Sequence, residues 1–291
     1  MMTPLWGRPE VVRLFIERME ANFPPYAEFM PYFILSPDDP NLDALKHIID
    51  GYEFTVHDNQ PLGRKLNLGM TDALELDWDF YMGMGSDDVW TSLMWDLYEP
   101  LLKENCPFFG VKSLYAYNVL TDDARWVEFY NIDMTDTLTA IGPGRFMRRD
   151  IVEGCMPLWN DAASFGMDGY SSGKIWHNLQ LRAKLIDNGK LPVVCDIKTA
   201  TCLTGWHEFD DLSEPVDPAW VKEVFNINPL ALKNLRNFDE FHDAVLKVSY
   251  RTRTKREAFD QVNDAFQGQT GEKRFISYES YKTTVSKKFR R

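Results

Sequence analysis

Residues 80–89 read Phe80-Tyr81-Met82-Gly83-Met84-Gly85-Ser86-Asp87-Asp88-Val89, and the way this run ends decides the fold class. Apolar residues and glycines give way abruptly to two adjacent carboxylates. An amphipathic run follows at once, with Trp90, Leu93, Met94, Leu97 and Leu101 on one face. The pattern is that of a buried parallel strand carrying Asp87 and Asp88 to its carboxyl end, just before a helix. Ligands of open α/β sheets bind in the crevice beyond such strand ends. Two hard oxygen donors placed there suit a divalent cation that also holds phosphate oxygens. The same two residues would equally serve to cap the helix that follows, because Asp is favoured at a helix start.

Upstream, the chain alternates. Thr3-Pro4 reads as the end of a short first strand, and Pro9-Glu10 opens a helix with the apolar stripe Val11, Val12, Phe15, Ile16 and Met19. Residues 28–35 are strand-like and break at Ser36-Pro37-Asp38-Asp39-Pro40. A second helix carries Leu42, Leu45, Ile48 and Ile49 and stops at Gly51. Tyr52 to Val56 is a third strand, and a third helix starts near Gly63. This β-α-β-α-β-α-β rhythm predicts an α/β fold with a mostly parallel central sheet and helices on both faces. Right-handed crossovers would bring the polar residues after each strand (Thr3, Ser36/Asp38, Asp58/Asn59, Asp87/Asp88) to one edge.

Beyond Glu104 the rhythm changes. Residues 108–120 and 124–130 alternate around Thr121-Asp122-Asp123 as a hairpin would. Residues 139–149 read as a glycine-proline loop leading into a short helix. Asp168 precedes an expected helix through about Asn188, closed by Gly189, and Pro192 to Ile197 is a last strand. From Asp217 onward the pattern is helical, with the longest helix from about Asp239 to Phe266. The expected division is 1–104, 105–215 and a helical C-terminal extension over 216–291.

The chain of 291 residues is long enough for a sizeable core, and no apolar stretch approaches the roughly 18 residues needed to span a bilayer. The start lacks an apolar leader-like run, and the four cysteines show no CxxC spacing, so a cytoplasmic protein without zinc or disulfides is expected. The net charge of −12 is unevenly spread: residues 246–291 hold 12 Lys/Arg against 5 Asp/Glu, whereas the rest carries −19. A basic tail on an acidic body points to an anionic partner or to a solvated helical appendix.

Taken in order, Thr3-Pro4, Ser36-Pro37-Asp38, Gly63-x-Lys65-x-Asn67-x-Gly69-Met70, Gly85-Ser86-Asp87-Asp88, Gly142-Pro143-Gly144-Arg145, Trp159, Gly166-Met167-Asp168-Gly169 and Asp196-Ile197-Lys198 carry a resemblance. Over residues 1–210 the chain resembles the family 2-type glycosyltransferases of GT-A fold, most closely their bacteriophage and bacterial branch. The resemblance implies a nucleotide-diphosphate sugar donor, with UDP as its nucleotide, and Mn²⁺ or Mg²⁺ as cofactor. It implies that Thr3 and Pro4 lie against the nucleoside, that Asp38 contacts the base, and that Arg8, Lys65 and Asn67 belong to the donor site. Asp87 would touch ribose or metal, Asp88 would bind the metal, and His207 would be a further ligand or a plain surface histidine. Gly85 stands where many members have the first Asp of a D-x-D triplet, which leaves the metal fewer carboxylates.

The chemistry asks for these parts on its own account. A departing diphosphate needs positive charge, and an acceptor hydroxyl needs a base within hydrogen-bond reach. Asp168 is the candidate base and would give inversion; its other reading is a helix cap. Arg145 is expected on the acceptor side, and Trp159 either stacks on a sugar or fills core. The resemblance extends to enzymes that glycosylate hydroxymethylated bases in DNA, and the basic, aromatic-rich 246–291 segment suits such an acceptor. A saccharide or protein acceptor, a sugar nucleotidyltransferase and an inactive nucleotide-sugar-binding protein are the alternatives.

Overall fold

The computed structural model describes residues 1–119, 121–128, 140–164, 166–199, 206, 213–228, 256, 257 and 260. The first part alternates as the apolar pattern predicts: β1 (Met2–Pro4), α1 (Pro9–Ala21), β2 (Tyr32–Leu35), α2 (Leu42–Ile48), β3 (Glu53–Val56), α3 (Leu62–Ala73) and β4 (Phe80–Gly83). β1 lies parallel between β2 and β4, and β3 pairs parallel with β2. The stripe predicted for α1 is buried throughout, together with Leu14.

β4 ends earlier than expected. It stops at Gly83, and Asp88–Trp90 form a separate strand, β5, in a second sheet. A tight turn makes the break: the Gly85 N–H donates to Asp88 Oδ2 at 2.7 Å, and the Asp88 N–H donates to the Gly85 carbonyl at 3.2 Å. The helix that follows, α4 (Leu93–Lys103), starts after Ser92 and has no side-chain cap. Asp87 and Asp88 therefore do not cap it.

The remaining elements are β6 (Phe108–Val111), β7 (Ser113–Asn118), β8 (Asp123–Glu128), β9 (Arg145–Arg148), α5 (Arg149–Cys155), α6 (Met167–Leu179), β10 (Lys184–Ile186), β11 (Val194–Lys198), β12 (Ser213–Val216) and α7 (Pro218–Val224). Among the described residues the central sheet has seven strands in the order β10-β6-β9-β4-β1-β2-β3, with β9 antiparallel to both its neighbours. A second sheet has the order β12-β8-β7-β11-β5. The β7–β8 hairpin is as expected. Two elements differ from expectation. Arg145–Arg148 is a strand rather than loop, and the helix after Asp168 ends at Leu179 because Gln180 turns left-handed (φ 54°). Lys184–Ile186 then joins the sheet edge beside β6.

Alternation along the central strands sends side chains to two cores. Phe33, Leu35, Met82 and Phe146 pack with α1, α2 and α4 on one face. Tyr32, Ile34, Tyr81 and Met147 pack with α3, α5 and α6 on the other. A third cluster joins the second sheet to α7 and to Val11 and Leu14 of α1. The result is a mixed α/β fold with a mostly parallel central sheet covered on both faces. No helix among the described residues is long and apolar enough to cross a membrane. His207 and the expected helix from Asp239 lie outside the described residues, save for a few positions of that helix.

Candidate active site at the strand ends

The carboxyl ends of β1 and β4, the start of β5 and the end of β11 open onto one cleft of ≈ 570 Å³. Pro4 to Arg8 form one wall, Asn59 and Gln60 an end, and Gly142, Pro143 and Asp168 the opposite lip. A larger hollow of ≈ 780 Å³ lies at the start of β4, but its arginines are engaged by the protein. Arg148 pairs with Asp150, and Arg149 pairs with Glu153 and donates to the Leu74 and Leu76 carbonyls. The groups with chemical potential lie in the smaller cleft.

Its floor is acidic. Asp87, Asp88 and Asp196 each bring a carboxylate oxygen within 4.8 Å of the others. The fold produces this directly, because β5 and β11 are antiparallel and set Asp88 opposite Asp196 in register. Like charges directly opposite on a sheet are destabilising, and here both are buried. Burial, then the charges of Asp196 and Asp87, push the Asp88 carboxyl well up from its ordinary range. Burial also raises Asp196, to about 6, with Lys198 opposing the rise. Lys198 Nζ lies 2.5 Å from Asp196 Oδ2, while Asp196 Oδ1 is buried without a hydrogen-bond partner among the described residues. Arg8 donates to Asp87 Oδ2 at 3.0 Å and to Ser86 Oγ at 3.2 Å.

Gly85, which the resemblance marked as a missing carboxylate, has a steric reason to be glycine. A Cβ there would stand 2.5 Å from Asp88 Oδ2 and 3.0 Å from Asp87 Oδ1. The third carboxylate comes instead from β11. Sequence reasoning quoted Asp196 but did not take it as a ligand. Its signal is a charge inside the apolar run Val193-Val194-Cys195-Asp196-Ile197.

Asp168 sits in the first turn of α6, where Gly166 is the capping position and no side chain caps. Its carboxylate is half exposed at the cleft and lies 3.5 Å from Arg145 Nη2. It also abuts Gly142, where a Cβ would stand 2.5 Å from Asp168 Oδ2. Arg145 is 2% exposed and does not line the cleft. It donates to Asp168 O at 3.1 Å and Ser171 Oγ at 2.9 Å, and also to the Ala140 carbonyl. The expected acceptor-side arginine is thus a buried clamp under the start of α6. Trp159 is buried edge-on to Tyr81 and shows the cleft only a margin.

Other expected donor-side residues are held within the fold. Lys65 borders the cleft yet is fully buried, and its ammonium donates to the Leu5 carbonyl (2.7 Å), Ser36 Oγ (2.6 Å) and Asn59 Oδ1 (3.2 Å). Burial pulls it down to about 7, against the charges of Asp39 and Asp38. Asn67 faces away from the cleft and clamps the 159–161 segment, bonding Trp159 on both sides and Asp161. Thr3 is buried and does not line the cleft, while Pro4 does. Asp38 is exposed outside the cleft, whereas its neighbour Asp39 is buried and accepts from the Gly7 N–H at 2.6 Å. Only the folded chain separates these adjacent aspartates.

No family model matches the chain, and no curated protein matches it in sequence. Among solved structures the chain is similar to TarS of S. aureus (9% identity, TM-score 0.48, covering 92% of this chain and 42% of that one). The same protein's 1–349 fragment in complex with UDP-GlcNAc matches at 10% identity and TM-score 0.46, covering 92% and 70%. The mannosyltransferase PcManGT of Pyrobaculum calidifontis, in complex with GDP-Man and Mn²⁺, matches at 12% identity and TM-score 0.44, covering 98% and 82%. The chain thus spans less than half the length of TarS. These are distant likenesses, and the functional reading rests on the cleft's own residues.

Proposed function

We propose that this protein is an inverting glycosyltransferase that moves a sugar from a nucleotide-diphosphate donor to an acceptor hydroxyl. One observation carries the reading: three carboxylates, from two neighbouring strands of the second sheet and the turn leading into it, converge in a cleft at the ends of parallel strands, and one buried oxygen has no partner among the described residues. A buried carboxylate without a hydrogen bond costs free energy unless a ligand completes it. An all-oxygen donor set selects a hard cation, Mn²⁺ or Mg²⁺. Such a cation, when bound, neutralises the charge that grows on a departing diphosphate.

The chain's own residues supply the rest. Asp87, Asp88 and Asp196 would hold the cation. The wall from Pro4 to Arg8 would carry the nucleoside and diphosphate, with Lys65 fixing that wall from behind through Leu5 and Ser36. Asp168 would accept the proton of the acceptor hydroxyl as its oxygen attacks the anomeric carbon and the bond to the diphosphate breaks. Arg145 holds the carboxylate in place, and Gly142 gives it room. The acceptor class we favour is DNA bearing a hydroxymethylated base, on the strength of the +7 charge of residues 246–291.

Release of UDP or GDP from a panel of nucleotide sugars, with and without Mn²⁺, tests the reading. Cation-dependent release of the nucleoside diphosphate supports it. Pyrophosphate-dependent conversion of the donor into a nucleoside triphosphate and a sugar 1-phosphate would indicate nucleotidyl transfer instead, and no turnover of any donor would refute catalysis. Binding to duplex DNA that weakens with salt tests the acceptor; absence of binding at low salt would refute it.

A further inference from the structure

Arg8 is placed with unusual force for a loop residue. Its backbone is left-handed (φ 50°, ψ 55°), a conformation that strains a non-glycine residue. Asp39 fixes the preceding Gly7 N–H, so the turn cannot relax freely. The outcome of this strain is a guanidinium, 13% exposed, on the carboxylate of Asp87. With Lys198 on Asp196, two cations stand against the three carboxyl groups of the cluster.

We propose that Arg8 is an exchangeable counter-ion: it neutralises Asp87 in the empty cleft and turns to the donor's diphosphate when a divalent cation takes Asp87. This rests on the function proposed above. A cation bound at Asp87 would set a second positive charge beside the largely buried guanidinium and compete with it for the carboxylate. The nearest new anion in that cleft is the diphosphate, whose oxygens match the guanidinium fork. Cation and diphosphate therefore favour each other's binding through Arg8, and the coupling is reciprocal.

The test is calorimetric titration of Mn²⁺, of UDP and of GDP, each alone and in the presence of the other component, on the full chain. Wild type should bind Mn²⁺ weakly alone and at least about fivefold more tightly with the nucleotide, within the usual range of coupled sites. Arg8→Gln should bind Mn²⁺ alone more tightly, because the guanidinium no longer competes for Asp87, and should lose most of the coupling. Arg8→Lys, which keeps the charge, should retain part of it. Arg8→Asn, a residue that tolerates the left-handed turn, guards against a folding defect and should behave as Arg8→Gln does. Unchanged Mn²⁺ affinity with intact coupling in the charge-removing variants overturns the exchange and leaves the proposed function standing. Wild type that binds neither Mn²⁺ nor nucleotide overturns both.

Discussion

Two buried polar clusters flank one cleft, and they differ in whether their hydrogen bonds are complete. Lys65 has all three ammonium donors engaged, by the Leu5 carbonyl, Ser36 and Asn59. That cluster ties the ends of β1, β2 and the β3–α3 loop together. Asp87, Asp88 and Asp196 instead crowd acidic groups at a strand pair, and an Asp196 oxygen is buried without a partner among the described residues. A satisfied cluster holds the fold; an unsatisfied one holds a place for something else. Buried charge alone would not have separated them, since Lys65 and Asp88 are both buried. Completeness of partners does.

The comparison breaks first at Asp88. Asp88→Ala should abolish Mn²⁺ binding and lower turnover by roughly 10³-fold, the worth of several kcal/mol of charge stabilisation. Asp88→Asn should do the same while raising the melting temperature of the cation-free protein, because a cross-strand repulsion disappears. A fall in melting temperature with unchanged Mn²⁺ binding would make the cluster structural after all. Next comes Asp168→Asn, expected to keep donor binding and to cut turnover by roughly 10²–10⁴-fold. Near wild-type transfer by that variant would reduce Asp168 to a first-turn acidic residue of α6. Gly142→Ala sharpens the same point at a smaller scale. The added methyl must displace the Asp168 carboxylate, and misplacement of that order costs up to about 10²-fold in turnover with little change in donor affinity.

The satisfied cluster should respond in stability. Lys65→Met leaves the buried Leu5 carbonyl unpaired and should cost roughly 1–3 kcal/mol, read as a drop in melting temperature with Mn²⁺ affinity intact. Its pH behaviour has a definite sign. Lys65 is lowered from its ordinary 10.5 to about 7, so between those values the unfolded chain binds more protons than the folded one. Stability contributed at this site therefore rises as pH goes from about 7 towards 10.5, and Lys65→Met should remove that rise. Thermal melts of both proteins across this pH range would show a constant difference if the assignment were wrong.

The alternating first part was legible because each element announces itself. The α1 stripe has a clean helical period, and the short loops after β1, β2 and β3 leave little choice of topology. What stayed hidden depends on long-range contacts. β9 carries Arg145, a buried cation that masks the strand pattern, and only the clamp on Asp168 and Ser171 explains it. The end of α6 at Gln180 has no glycine to mark it. β5 looks like the tail of β4 until Gly85 turns the chain into a second sheet. In the site, Asp87, Asp88, Asp168, Pro4, Arg8, Lys65 and Trp159 border the cleft. Thr3, Asn67 and Arg145 do not, since in each case a side chain read as ligand-facing is drawn into packing or a backbone clamp. Asp196 came from the far side of a strand pair, which no local motif records.

The most direct test of the central claim is a Mn²⁺ titration followed by calorimetry, on wild type and Asp88→Asn, each with and without UDP or GDP. The three-carboxylate site predicts one bound cation per wild-type chain, tighter with the nucleotide, and none in the variant. Equal Mn²⁺ binding by both proteins, or none by wild type even with nucleotide present, would contradict it.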